Sequence, residues 1–176
     1  GVNYSVTVDT ADLPAGLTIN SVDPDGGSDS TGQTTLTLAD PVDLDQDFGY
    51  RSPALYTISG TVRDDYDIDG EFSDPDLPVG GVLVQLYSDP NGDGDPSDGS
   101  ALVSTNTLAD GSYLFDDLIS GNYVVVETDP TYSVSTADTA DDNDNLIPVA
   151  IVSSNSTGND FLDAVDPAGY FYDVAD

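Results

Sequence analysis

The chain has 176 residues, of which 34 are acidic and 2 basic, giving a formal charge of −32. Glu71 and Glu127 are the only glutamates, Arg51 and Arg63 are the only bases, and Lys, His, Cys, Met and Trp are absent. This composition excludes an electrostatic footprint for nucleic acid, attraction to an anionic membrane, a zinc finger, a Ser-His-Asp triad and any disulfide staple.

No apolar run approaches the ~18 residues a membrane span needs. The N-terminal GVNYSVTVD carries no basic region or cleavage signal, so the sequence is expected to be a mature chain or a fragment. An apolar fraction of 38% with 10 Tyr and 5 Phe favours a folded chain over a disordered acidic tail. So many like charges oppose compaction, and something positive must offset them, either high salt or bound divalent metal.

Taken in chain order, alternating or β-branched runs predict strands at Tyr4–Asp9, Thr34–Leu38, Tyr56–Val62, Val82–Tyr87, Ala101–Thr107, Ser112–Phe115, Asn122–Thr128, Ile147–Val152 and Asp160–Ala164. Asn122–Glu127 is apolar on both faces and reads as a central strand. No stretch sustains a helical period with caps. The strand spacing is that of an all-β sandwich.

The sequence also repeats itself. Asp45–Tyr50 echoes Gly158–Asp163, Tyr4–Asp9 echoes Tyr123–Glu127, and the acidic loop Asp23–Asp29 echoes Asp138–Asn145. The offset of roughly 110–120 residues is one sandwich unit. Residues 1–52 are therefore expected to be the second half of one unit, 53–165 a whole unit, and 166–176 a tail. A half-unit leaves an apolar face and open edges. It is completed either in cis by further chain or in trans by a neighbouring subunit. The aromatic tail, with Tyr170 and Tyr172, is a candidate donor strand for head-to-tail assembly.

The strongest motif follows the strand Tyr56–Val62. Asp65-Tyr66-Asp67-Ile68-Asp69-Gly70-Glu71-Phe72-Ser73-Asp74-Pro75-Asp76 has the spacing of a twelve-residue calcium loop. Asp65, Asp67 and Asp69 supply oxygens at alternate positions. Gly70 permits the sharp turn, Glu71 offers its backbone carbonyl, and Ser73 acts through water. Asp76 takes the twelfth position, where a bidentate Glu is usual, and its shorter arm predicts weaker binding. A second loop places Asp89, Asn91, Asp93, Asp95 and Asp98 in a similar D-x-N-x-D-G pattern. Position twelve is Ser100, so Asp98 stands in, and Asn-Gly and Asp-Gly favour turns for their own reasons.

Weaker acidic sets are Asp138, Asp141, Asp142 and Asp144, and Asp23, Asp25 and Asp29. In an up-and-down reading, Asp65–Asp76, Asp110 and Asp138–Asp144 share one end of the unit, and Asp89–Asp98 lies at the other. A calcium cluster that includes Asp110 and Asp142 would relieve the resulting repulsion. A solvated charge run is the plain alternative for Asp138–Asp144. Strands flank both main loops, which disfavours a helix–loop–helix sensor. Metal would instead tie strands together, so that its binding energy becomes folding energy.

At these residues a family resemblance enters. Ser59-Gly60-Thr61-Val62, the Asp65–Asp76 loop and Gly81–Tyr87 resemble the start of an SdrD B-like repeat, a calcium-binding Cna B-type domain of bacterial surface proteins. Asp110-Gly111-Ser112-Tyr113-Leu114-Phe115, Leu118 and Gly121-Asn122-Tyr123-Val124-Val125 resemble the family's G-x-Y-x-F-x-x-L-x-x-G-x-Y-x-V core. Asp89–Gly99 resembles a second-loop variant, and Leu44–Tyr50 and Ser156–Phe161 resemble two versions of its terminal strand.

The resemblance implies an immunoglobulin-like (Cna B/prealbumin-like) sandwich, more than one Ca²⁺, an extracellular or cell-surface location and a stalk or fibre role. Related domains carry a Lys–Asn isopeptide bond, which a chain without lysine cannot form. The expected function is a non-catalytic, calcium-stabilised structural repeat that associates with copies of itself. The alternative is an adhesin module for a host protein or glycan, with Tyr66, Tyr170 and Tyr172 as stacking surfaces. Paired carboxylates can hydrolyse glycosides, but these sit at metal-loop spacing. Asn3 and Asn155 lie in sequons and are candidate glycan acceptors.

Overall fold

A computed structural model of the chain describes residues 1–73, 75–140 and 143–165. All named elements are strands apart from two single-turn 3₁₀ segments. The chain divides into two compact units, Gly1–Ala54 and the residues from Leu55 onward.

The second unit is an immunoglobulin-like sandwich. Its strands are β5 (Tyr56–Asp64), β6 (Leu77–Pro78), β7 (Leu83–Ser88), β8 (Ala101–Asn106), β9 (Ser112–Leu118), β10 (Gly121–Thr128), β11 (Ser133–Asp138), β12 (Leu146–Ile151) and β13 (Phe161–Val165). One sheet runs β12-β10-β7-β8. The other runs β11-β13-β5, and β6 and β9 both pair with β5 on its far side. The first and last strands of the unit, β5 and β13, lie parallel, with Phe161 opposite Val62 and Asp163 opposite Asp64.

The strand periodicity explains the packing. Every second side chain of a strand points to the same face. Ile58 and Val62 of β5, Tyr113 and Phe115 of β9 and Phe161 of β13 meet Val84, Leu86, Tyr123, Val125, Ile147, Val149 and Ile151 of the other sheet in one buried core. β10 is the central strand expected from sequence, since Val124 on its opposite parity is buried as well. Gly60 is required where β5 approaches the chain before β13, because a Cβ there would overlap the Asn159 carbonyl.

Four strands escape the sequence reading. Two of them belong to this unit, β6 and β11. β11 is Ser-Val-Ser-Thr-Ala-Asp, small and polar with no alternation to read, and it is held as an edge by β13. Its presence alters the loop geography. It adds a strand between β10 and the Asp138 turn that the up-and-down reading did not count. Asp144 lines a recess with Asp93, Gly94, Asp95, Leu146 and Pro148.

The first unit contains β1 (Val2–Thr7), β2 (Ile19–Val22), β3 (Thr31–Leu36) and β4 (Gly49–Arg51). β2 and β4 are the other two strands that periodicity misses. β1 pairs with β3 and β2 with β4, all antiparallel, as two separate ribbons. The same pattern recurs as β10 with β12 and β11 with β13. None of the buried apolar side chains of the chain's described residues comes from this unit. Val2, Tyr4 and Val6, on one face of β1, are all exposed.

Candidate metal centres

The loop after β5 folds around Asp65, which is 1% exposed. Its Oδ1 accepts the Asp69 N–H (3.1 Å) and its Oδ2 the Gly70 N–H (3.0 Å). Ile68 and Gly70 take left-handed backbone angles that let the chain double back. Asp76 Oδ2 accepts the Ser73 N–H (2.9 Å), while its Oδ1 is buried without a hydrogen-bond partner.

Carboxylate oxygens of Asp65, Asp67 and Asp76 lie within 4.8 Å of one another, which brings positions one, three and twelve of the predicted loop together. Asp69 turns its Oδ1 onto the Glu71 N–H (2.8 Å), and Glu71 itself is exposed. Desolvation and then the charge of Asp69, with smaller contributions from Asp65 and Asp76, hold the Asp67 carboxyl above its ordinary pKa.

The loop after β7 repeats the device. Asp89, 3% exposed, accepts the Gly92 N–H (2.7 Å) and the Gly94 N–H (3.1 Å). Asn91 donates its Nδ2–H to Asp93 Oδ2 and accepts the Asp93 N–H, both at 2.9 Å. Asp89, Asp93 and Asp98 gather within 4.8 Å. Desolvation, then Asp93, Asp89 and Asp95, raise the Asp98 carboxyl. Asp95 instead caps the Pro96–Asp98 turn through the Ser97 N–H, and that contact lowers its carboxyl. Among the described residues Asp95 does not join the group.

Among the described residues Asp110 joins neither group. Its Oδ1 accepts the Ser112 N–H (3.1 Å) and hydroxyl (2.6 Å), which lowers its carboxyl. Asp138 accepts the N–H groups of Ala140 (2.8 Å) and Asp144 (3.2 Å). Asp142, Asp141 and Asp74 lie outside the described residues, as do Tyr170, Tyr172 and the rest of the tail. In the first unit Asp23, Asp25 and Asp29 form a third such group, and Asp23 holds the Ser30 N–H. Of the sequons, Asn3 Oδ1 accepts the Thr35 hydroxyl (2.7 Å) and Asn155 Oδ1 the Thr57 N–H (3.1 Å).

A fourth group was not anticipated from sequence. Glu127, Asp129 and Asp163 bring carboxylate oxygens within 4.8 Å of one another, with Glu127 and Asp163 buried. Strand parity was the available signal, because Glu127 follows Tyr123 and Val125 on the inward face of β10. Several of the acidic groups in this chain are thus arranged so that they could chelate a divalent cation.

The family model for the SdrD B-like domain matches residues 56–161. A fibrinogen-binding protein of Staphylococcus epidermidis is 28% identical over 148 residues, covering 82% of this chain and 12% of the relative. Serine-aspartate repeat-containing protein C of Staphylococcus aureus (strain Newman) is 33% identical over 148 residues, covering 80% of this chain and 14% of the relative. The chain therefore spans only about a tenth of the length of the curated relatives it matches. Among solved structures, the shaft pilin SpaA of Lactobacillus rhamnosus GG aligns at a TM-score of 0.46 and 12% identity, covering 64% of this chain and 50% of the pilin. The minor pilin GBS52 of Streptococcus agalactiae aligns at 0.42 and 14% identity, covering 80% and 67%.

Proposed function

This chain belongs to the SdrD B-like domain family, and we propose that it is a calcium-stabilised, non-catalytic structural repeat of an extracellular or cell-surface stalk or filament. The observation that carries this reading is the pair of buried loop aspartates, Asp65 and Asp89. Each organises its loop through two backbone N–H groups while its carboxylate stays grouped with two more. Calcium, which takes six to eight oxygens in flexible geometry, fits an all-oxygen set of Asp65, Asp67 and Asp76, and another of Asp89, Asp93 and Asp98.

The repeat in strand pairing supports a domain reading in which residues 1–52 are the C-terminal half of a unit. Its partner strands would be supplied by further chain or by a neighbouring copy. The exposed Val2, Tyr4 and Val6 face is the surface such strands would cover. Relatives named for serine-aspartate repeats and fibrinogen binding favour the cell-surface location. The fibrinogen-binding relative also supports a second reading as an adhesin module, for which the exposed Tyr66 and Tyr132 offer ring surfaces.

Melting with and without chelator tests the calcium role. Each ion bound at about 100 times its Kd adds about 2.7 kcal/mol, so EDTA should lower the melting temperature of the second unit by about 10 °C or more. An unchanged melt would sink the calcium part. Negative-stain microscopy tests assembly, and monodisperse single copies at high concentration would count against a filament. A matrix-protein and glycan array without hits would dispose of the adhesin reading.

A further inference from the structure

We propose that Glu127, Asp129 and Asp163 form an inter-sheet cation site, separate from the two loops, that takes a calcium-class divalent ion and clamps the two sheets of the sandwich together.

The argument begins with parity. On β10, Tyr123 and Val125 face the core, and Glu127 is the next residue of that set. On β13, Phe161 faces the core, and Asp163 is the next of its set. Two carboxylates from opposite sheets therefore point into one interior. Glu127 is 3% exposed and Asp163 is fully buried. Among the described residues no N–H or O–H donor reaches an oxygen of either carboxylate, and the one side-chain contact of Glu127 is with the Asp129 carboxyl, which can pair with it only by sharing a proton. Buried carboxylates are ordinarily paired, hydrogen-bonded or metal-bound, and the chain has no lysine to offer. Arg63 sits next to Asp64 on β5, on the parity opposite to the inward Val62.

The rest of the site is built to hold acid there. Asn145, in a left-handed turn, accepts the Glu127 N–H on its carbonyl (3.0 Å) and donates its Nδ2–H to Asp129 Oδ1 (2.8 Å). That fixes Asp129 at the rim, and Asn145 Oδ1 is itself buried without a partner. Asp64, opposite Asp163 on β5, adds further negative charge.

Calcium binds oxygens at about 2.3–2.6 Å, so ligands on opposite sides of one ion lie about 5 Å apart. Oxygens of Glu127, Asp129 and Asp163 lie within 4.8 Å of one another, close enough for one such ion to bridge. Magnesium keeps several of its waters, and a core this well buried suits it poorly. The first unit lacks the pair. By the internal repeat its corresponding residues are Val8 and Tyr50, so the site is particular to the second unit.

The test counts metal. The full chain, Glu127→Gln, Asp163→Asn and the loop variants Asp65→Asn and Asp89→Asn are equilibrated with Ca²⁺ and measured by native mass spectrometry. Crystals soaked in Tb³⁺ are examined for anomalous density. Glu127→Gln and Asp163→Asn should each bind one ion fewer than the parent, and a Tb³⁺ peak should lie between Glu127 and Asp163. The loop variants should retain that peak.

An unchanged ion count in both variants, with no peak in the parent, would overturn the site. A higher melting temperature for Glu127→Gln in EDTA and in Ca²⁺ alike would do the same, because it identifies the pair as carboxyls sharing protons. If the loop variants keep their full ion count while Glu127→Gln loses one, the loop reading fails and this site stands. Should the interior variants misfold, the anomalous map of the parent decides.

Discussion

The backbone N–H of Asp65 donates to the carbonyl of Asp163 at 2.7 Å. One hydrogen bond therefore joins the first residue of the first acidic loop to the residue whose side chain reaches the Glu127 pair. The loop grows directly out of the β5–β13 seam, which is also the only parallel pairing among the described strands. Ordering the loop and closing the sandwich are thus coupled through one short stretch of backbone.

That coupling makes Asp65 the most sensitive loop position. Asp65→Ala strands the Asp69 and Gly70 N–H groups and should cost about 2 kcal/mol or more even in chelator, with one Ca²⁺ lost. Asp69→Asn, whose side chain serves only the exposed Glu71 N–H, should cost much less. Urea titrations of both variants in EDTA check the ranking, and equal losses would contradict it.

In the second loop, Asp89 and Asp95 have the same side chain and different duties. Asp89→Ala should remove a bound ion and destabilise the unit by about 2 kcal/mol. Asp95→Ala should fray only the Pro96–Asp98 turn and leave the ion count intact. Calorimetric Ca²⁺ titration separates them, and loss of an ion in Asp95→Ala would make Asp95 a ligand.

Gly60→Ala would drive a Cβ into the Asn159 carbonyl and against the Tyr113 hydroxyl, which itself donates to that carbonyl. Because the obstacle is backbone, relief means parting β5 from the chain entering β13. The expected cost is more than about 3 kcal/mol, read as loss of the cooperative unfolding transition. A melt within a few degrees of the parent would show that the approach is looser than described.

Burial, with Asp163 and Asp129 nearby, pushes the Glu127 carboxyl up to about 9. Burial, with Asp129 and Asp64, pushes Asp163 up to about 7. Both folded values exceed their unfolded ones, so the folded chain holds more protons than the unfolded chain. The associated stability is full below the unfolded carboxyl range near ~4. It is lost as pH rises through the two folded values. In EDTA the melting temperature should therefore fall steadily between about pH 5 and pH 9. Excess Ca²⁺ should flatten the slope by replacing protons with an ion. A slope that calcium leaves untouched would argue against metal at this pair.

Much of the molecule is legible along the chain. The strands β5, β7, β8, β10 and β12 announce themselves by alternation, and the Asp65 and Asp89 loops by carboxylates and glycines at fixed offsets. These are local properties, set within a dozen residues by side-chain direction and backbone angles. β11 is not legible, because its small polar residues carry no period and only β13 makes it a strand. For Asp95 and Asp110 spacing is not enough, since it does not say whether a carboxylate faces a cation or caps its own turn. The meeting of Glu127 with Asp163 lies beyond local reading altogether. The acids are 36 positions apart by their numbering, on strands of different sheets, and each looks like an ordinary charge until the sandwich closes. Their burial follows from which face of each strand packs inward, and tertiary packing alone decides that.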